Sequence, residues 1–283
     1  MKNLYSVILK LFPKILKTFI KDNYFKITGN YITQKILGDE KKYLEIFNQI
    51  KNKRYDEIDK FIKSRDYNEI DQNFLEDLAL ITQVSIKRSD VNYQHGRLIY
   101  SILDDYIINS KESFNNFVFV DIGTAKGFSS IIISKCALQN NIAFKIFSFD
   151  IIPHQLKMYW NSVADLKGKI SREELLQDYK NFTKNINFIK GKTKNSLKIL
   201  SSNKRINFAF LDGSHEYEDV KFEFSFIKKR QNKGDIIFFD DVTAGHFDGI
   251  VKLIDEIKKS KEYEVENISS TEYRGYAVAI KQF

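Results

Sequence analysis

The residues best able to do chemistry lie in two short stretches that each end an apolar run. Asp212-Gly213-Ser214-His215-Glu216-Tyr217 follows Ile206 to Leu211, and Asp240-Asp241 follows Ile236 to Phe239. Each apolar run reads as a buried strand, and such strands deliver their last residues to the carboxyl edge of a sheet, where α/β proteins place ligands. Asp212, Asp240 and Asp241 would then converge from neighbouring strands. Clustered carboxylates repel unless a cation neutralises them, and Mg²⁺ takes oxygen ligands of this kind. His215, three residues after Asp212, is placed to act as a general base beside that ion. Each aspartate also has a plainer use, as a cap for the helix that follows its strand.

Positioning these groups requires alternating strands and helices, and the pattern from residue 117 onward supplies them. Phe117 to Val120 reads as the first strand. Asp121-Ile122-Gly123-Thr124-Ala125-Lys126-Gly127-Phe128-Ser129 is the turn after it, and Ser130 to Leu138 the helix. Gly123 and Gly127 allow a tight turn and close approach of a ligand. The turn is neither G-x-G-x-x-G nor a phosphate loop ending in Lys-Ser/Thr. A second strand, Lys145 to Phe149, ends in Asp150, where an acid can take two ribose hydroxyls. Segment 151–185, which holds Tyr159 and Trp160, exceeds a simple crossover. A third strand, Ile186 to Ile189, leads to Gly191-Lys192-Thr193 and a helix over 194–202. After the two aspartate-ending strands come a helix over 246–259 and a closing pair, Tyr263 to Ile268 and Tyr276 to Ile280. Arg274 falls in the turn between the last two and is a candidate substrate contact.

The preceding part reads as helical. Residues 38–80 suit a cap over the active-site face or a dimerisation element. A further helix over 91–109 begins near His95, which suits a helix start better than a ligand contact. Residues 2–21 repeat apolar positions at helical spacing, interrupted by lysines and Pro13. Residues 1–26 hold six lysines against one acid, five of the chain's eight net positive charges. This arm suits an anionic membrane surface, or packing on its own domain or on a second subunit in a homo-oligomer. The rest is nearly balanced in charge, which argues against nucleic acid as a partner. Cys136 is the only cysteine among 283 residues. That excludes an intramolecular disulfide and suits a reducing, cytoplasmic setting, with membrane-peripheral attachment through the arm as the variant. No apolar run reaches the roughly 18 residues of a membrane span.

Taken in order over about residues 92–283, these features resemble the class I S-adenosylmethionine-dependent methyltransferases. Asp121-x-Gly123-x-x-x-Gly127 is similar to the family's first motif, and Asp150 to its ribose-binding acid. Asp212-Gly213-Ser214-His215-x-Tyr217 with Asp240-Asp241 resembles the metal-dependent O-methyltransferases of the macrocin O-methyltransferase and cephalosporin-hydroxylase-like group. The resemblance implies a Rossmann-like, seven-stranded, mostly parallel sheet with an antiparallel last strand, helices on both faces, and an N-terminal helical extension. The implied division is a helical extension over 1–90 and a methyltransferase domain over 91–283. It further implies that Asp121, Gly123, Thr124, Gly127, Ser129, Asp150 and Asp212 line S-adenosyl-L-methionine, that Asp212, Asp240 and Asp241 hold Mg²⁺, and that His215 with Asp212 serves catalysis. The implied acceptor is a hydroxyl of a sugar, glycoside or surface-glycan precursor. A catechol-like phenol and a non-catalytic scaffold in a glycan-assembly complex are the alternatives. One departure stands out: the family often carries Gly-Asp-Ser or Gly-Asp-Ala after its third strand, with the acid on the adenine amine, where this chain has Gly191-Lys192-Thr193.

Overall fold

The computed structural model describes residues 35–87, 89–110, 116–201, 204–271 and 274–283. The basic arm, residues 1–26, lies outside them.

Among the described residues, four helices precede the sheet: α1 (Glu40–Ile50), α2 (Asp56–Lys63), α3 (Gln72–Thr82) and α4 (His95–Ser110). Asp39 and Asp71 cap α1 and α3 by accepting from the Lys42 and Phe74 amides, both at 2.8 Å, which satisfies donors that a helix start leaves open. Next come β1 (Phe117–Ile122), α5 (Phe128–Gln139) and β2 (Phe144–Asp150). The long segment after β2 holds two short helices, α6 (Arg172–Leu175) and α7 (Lys180–Thr183). Then follow β3 (Ile186–Lys190), α8 (Thr193–Ser196), β4 (Phe208–Leu211), α9 (Tyr217–Lys228), β5 (Ile236–Phe239), α10 (Asp248–Ser260), β6 (Tyr263–Thr271) and β7 (Arg274–Lys281).

The seven strands form one sheet in the order β3-β2-β1-β4-β5-β7-β6. β1 to β5 are parallel, and β7 runs antiparallel to both neighbours. This is the expected doubly wound sheet with its antiparallel last strand. Alternation along the strands sorts two cores. Phe119, Phe208, Phe210 and Phe238 pack with α2 to α5 on one face. Val120, Ala209, Leu211, Ile237 and Phe239 pack with α9 and α10 on the other.

α2, α3 and α4 share the first of these cores, while Tyr43 and Phe47 of α1 pack with Val84 in a separate cluster. Ile58, Phe61, Leu75 and Leu78 join the cluster that contains Ile99, Ile131 and Phe238. Arg97 of α4, 1 % exposed, pairs with Asp59 at 2.7 Å and Glu69 at 2.6 Å.

The expected helix over 194–202 differs most from the structure. Only α8 and a 3-10 turn, Leu197–Ile199, form there. Only Leu197 and Leu200 are buried, so a longer helix would have no apolar stripe to cover.

Candidate active site

The order of the strands reverses between β1 and β4, and ligands in open α/β sheets bind at such a switch point. The loops after β1 and β4 meet here. The Asp212 amide donates to the Ile122 carbonyl at 2.9 Å. Gly123 has φ +87, and a Cβ placed on it would lie 2.0 Å from the Asp212 carbonyl oxygen. Only glycine permits both the conformation and the approach.

The glycine loop is held from every side. Asp121 is fully buried and accepts from the Ser129 hydroxyl at 2.8 and 2.9 Å and from the Ser130 hydroxyl. Burial pushes its carboxyl up, and the serine hydroxyls and Thr124 oppose that. The Thr124 hydroxyl donates to Ser130 at 3.2 Å. Asp121, Thr124 and Ser129 therefore form a network behind the loop, with Gly123 and Gly127 shaping its backbone. Asp150 closes the other side: its two carboxylate oxygens accept from the Ala125 and Ile152 amides, each at 2.7 Å. It remains half-buried at the sheet edge, with lone pairs left for a ribose diol.

The segment after β2 grips the same loop. Arg172, 2 % exposed, donates to the Ala125 carbonyl at 2.7 Å and to the Ile152 carbonyl at 3.3 Å. Lys126 points away from the ligand edge, donating to Ser85 at 2.6 Å and to the Asn161 carbonyl at 3.3 Å. Burial lowers its ammonium to about 7, with Asp165 opposing. Trp160 is fully buried and donates to the Ile170 carbonyl at 2.8 Å, so it belongs to the core of this segment.

Across the switch point, Asp212, His215 and Asp241 each offer a ligand atom, and those atoms lie within 4.8 Å of one another. His215 Nε2 is 3.4 Å from Asp241 Oδ2, and its ring packs on Phe247 with centroids 4.5 Å apart. Asp241 sits at φ +58, a left-handed conformation that aspartate tolerates better than most residues. It turns the carboxylate toward His215 and away from Asp240. Asp240 is not in this group of three. It is fully buried, pairs with Arg274, and accepts from the Asp241 amide at 2.7 Å. Burial alone would raise the Asp240 carboxyl, but Arg274, then the Asp241 amide, hold it below the usual range. Burial and the two neighbouring aspartates push Asp212 well up. Burial and Asp240 push Asp241 to about 7, with Arg274 and Lys87 opposing. His95 starts α4 as read from the sequence and lies beneath this group between Phe128 and Phe210. Burial drives its pKa to about 3, so it is neutral.

Arg274, expected in the turn between the last strands, is the first residue of β7 and reaches in to Asp240. The sequence offered no obvious basic neutraliser for the aspartates, and Arg274 supplies one. The field of Lys87 also went unread, because its segment carries no motif. Asp248 acts at the start of α10, accepting from the Gly245 amide at 2.7 Å.

This arrangement has the fold of the class I S-adenosylmethionine-dependent methyltransferases. Residues 120–242 match the model of a methyltransferase domain family. Solved structures with the same fold include the O-methyltransferase TomG from Streptomyces achromogenes, involved in tomaymycin synthesis and captured with S-adenosylmethionine. It is 15 % identical, with 80 % of this chain and 96 % of that one covered and a TM-score of 0.53. An O-methyltransferase from Bacillus cereus in complex with S-adenosylhomocysteine is 13 % identical, covering 86 % and 99 %, with a TM-score of 0.51. The O-methyltransferase NovP is 14 % identical, covering 69 % and 82 %, with a TM-score of 0.50. No curated protein matches the sequence.

Proposed function

We propose that the chain transfers the methyl group of S-adenosylmethionine to a hydroxyl, with a divalent cation at the acceptor end. The observation that carries this is the meeting of the Asp212, His215 and Asp241 ligand atoms within 4.8 Å, at the switch point where the glycine loop ends. Asp150 takes the ribose, and Gly123 and Gly127 leave room for the methionine part.

Two carboxylates offer oxygen donors that suit a hard divalent ion, with the imidazole of His215 beside them. Asp212 and Asp241 would hold it, with Mg²⁺ the expected ion. Such an ion lowers the pKa of a bound hydroxyl and fixes its oxygen. His215 Nε2 takes the proton of the hydroxyl, and Asp241, 3.4 Å away, steadies the imidazolium that results. Asp240 holds Arg274, so the third carboxylate is spoken for within the protein. Alignment of oxygen, methyl and sulfur supplies much of the rate.

The acceptor we infer is a sugar hydroxyl on a glycoside or surface-glycan precursor. A histidine three residues after the first aspartate, as in the sugar-modifying enzymes this stretch resembles, supports that over a catechol-like phenol. Residues 91–283 form the catalytic unit in this proposal, residues up to 90 cover it, and the basic arm serves attachment to a membrane surface or a second subunit. Among the described residues no helix is long and apolar enough to cross a membrane.

Transfer to a panel of glycosides and phenols, read by mass spectrometry, tests the proposal. Chelation should abolish product and a divalent cation restore it. Asp241→Asn should lower turnover on the order of 100-fold. Full activity in chelator would remove the ion from the mechanism. Turnover confined to phenols would move the acceptor to the second class.

A further inference from the structure

A buried contact joins the segments that follow β3 and β4. The Thr193 hydroxyl donates to Glu223 Oε1 at 2.6 Å. Glu223 is 1 % exposed, and its Oε2 is buried with no hydrogen-bond partner among the described residues. It lies behind Gly213: a Cβ on that glycine would be 3.7 Å from Glu223 Oε1. A second link runs nearer the surface. Lys194 pairs with Asp219 at 2.6 Å, and the Ser214 hydroxyl donates to the same carboxylate at 3.0 Å. Residues 191–196 are thereby fastened to residues 213–223 twice.

A buried carboxylate with one unpaired oxygen is an expensive way to hold a threonine. Val220, Phe224 and Ile227 are buried on the same helix, α9. Burial pushes the Glu223 carboxyl up to about 7. The Thr193 hydroxyl opposes this, Asp219 adds to it and Lys194 opposes it. The position offers a reason for keeping it. On the cofactor reading, with ribose on Asp150 at the end of β2, the base would extend toward the outer strand β3, and the 191–193 segment that follows it, tied to 213–214, would form its wall. Lys192 in that wall brings no acceptor for an adenine amine, since an ammonium only donates.

We propose that Glu223, acting through Thr193, is a positioning residue that sets the wall against which the adenine ring of the cofactor is read. The inference rests on the cofactor reading above. It relocates the acidic contribution from the loop after β3 to the helix behind it, and leaves the backbone of residues 191–193 as the hydrogen-bonding edge for the base.

The test is calorimetric binding of two probes to the full chain: S-adenosylhomocysteine, and S-inosylhomocysteine, in which a keto oxygen replaces the adenine amine. Wild type should prefer the adenine compound by about tenfold or more. Glu223→Ala and Thr193→Val should each weaken the adenine compound by about tenfold and bring the preference toward one. Glu223→Gln, which keeps an acceptor for Thr193, should retain it. Thr193→Val is nearly isosteric and keeps the comparison open if Glu223→Ala does not fold. Variants that bind both probes as wild type does, or that lose affinity for both equally with the preference intact, would overturn the proposal and make the contact a support of the fold alone. Equal, tight binding of both probes by wild type would overturn it while leaving the cofactor in place. Binding of neither would remove the cofactor reading and this inference with it.

Discussion

Arg274 and Asp240 set the electrostatics of the site from below. Asp240 is fully buried and Arg274 is its counter-charge, so Arg274→Ala leaves an uncompensated buried anion. Losing one partner of such a pair costs about 3–5 kcal/mol, and the Tm of this variant should fall by several degrees relative to wild type. Arg274→Lys, which keeps the charge without the planar fork, should fall less. Equal Tm values for Arg274→Ala and wild type would mean that Asp240 is neutral in the fold. Gly123 is constrained more simply. Its alanine variant has to move the Asp212 carbonyl, now 2.0 Å from the ideal Cβ position, and should lose both stability and cofactor affinity. Glu223 titrates oppositely to most carboxyls. Its folded pKa, about 7, is raised above the ordinary 4.5. The protonated form therefore favours the fold, and its contribution is present below about pH 4.5 and lost as pH rises through about 7. Unfolding midpoints of wild type should fall across that window relative to Glu223→Gln. Parallel curves would contradict this.

Among the elements, the segment after β2 matters most to cofactor binding. Arg172 and Leu176 bracket the glycine loop, one on the Ala125 carbonyl and the other 2.7 Å from an ideal Cβ at Gly127. Arg172→Leu frees that loop and should weaken S-adenosylmethionine binding by about tenfold, a charged hydrogen bond's worth; unchanged affinity would show that the loop holds its shape alone. Four of the strands were legible in the sequence because each holds a short apolar run followed by Asp121, Asp150, Asp212 or Asp240. The glycine loop was legible because Gly123 and Gly127 sit between a strand and a helix. The pairing of Arg274 with Asp240 was not, because it joins residues on neighbouring antiparallel strands far apart in sequence. Nor was the turn at Asp241, a left-handed backbone that separates two consecutive aspartates and gives one to Arg274 and the other to His215. Glu223 left a faint signal, as an acid at helical spacing from Val220 and Ile227. Ser129 and Thr124 were legible as loop residues, but only packing shows that they turn toward Asp121.

At the scale of the molecule, α2 to α4 are built into the sheet's own core. Arg97 ties them down through Asp59 and Glu69. Both acids are partly exposed, so Arg97→Met should cost about 1–3 kcal/mol, less than a fully buried pair would. The loss should appear as one cooperative transition at a lower denaturant midpoint. Two separate transitions would show instead that residues before 90 unfold independently. The same packing carries Ser85 to Lys126 and brings the charge of Lys87 to the aspartates.

We propose that the crevice between β1 and β4 binds S-adenosylmethionine with Asp150 on its ribose. The decisive experiment is calorimetric titration of the full chain with S-adenosylmethionine, in wild type and Asp150→Ala. Wild type should bind with a Kd on the order of micromolar, and the variant at least ~100-fold more weakly. An absence of binding in wild type, with or without Mg²⁺, would contradict it, as would a variant that binds as tightly as wild type.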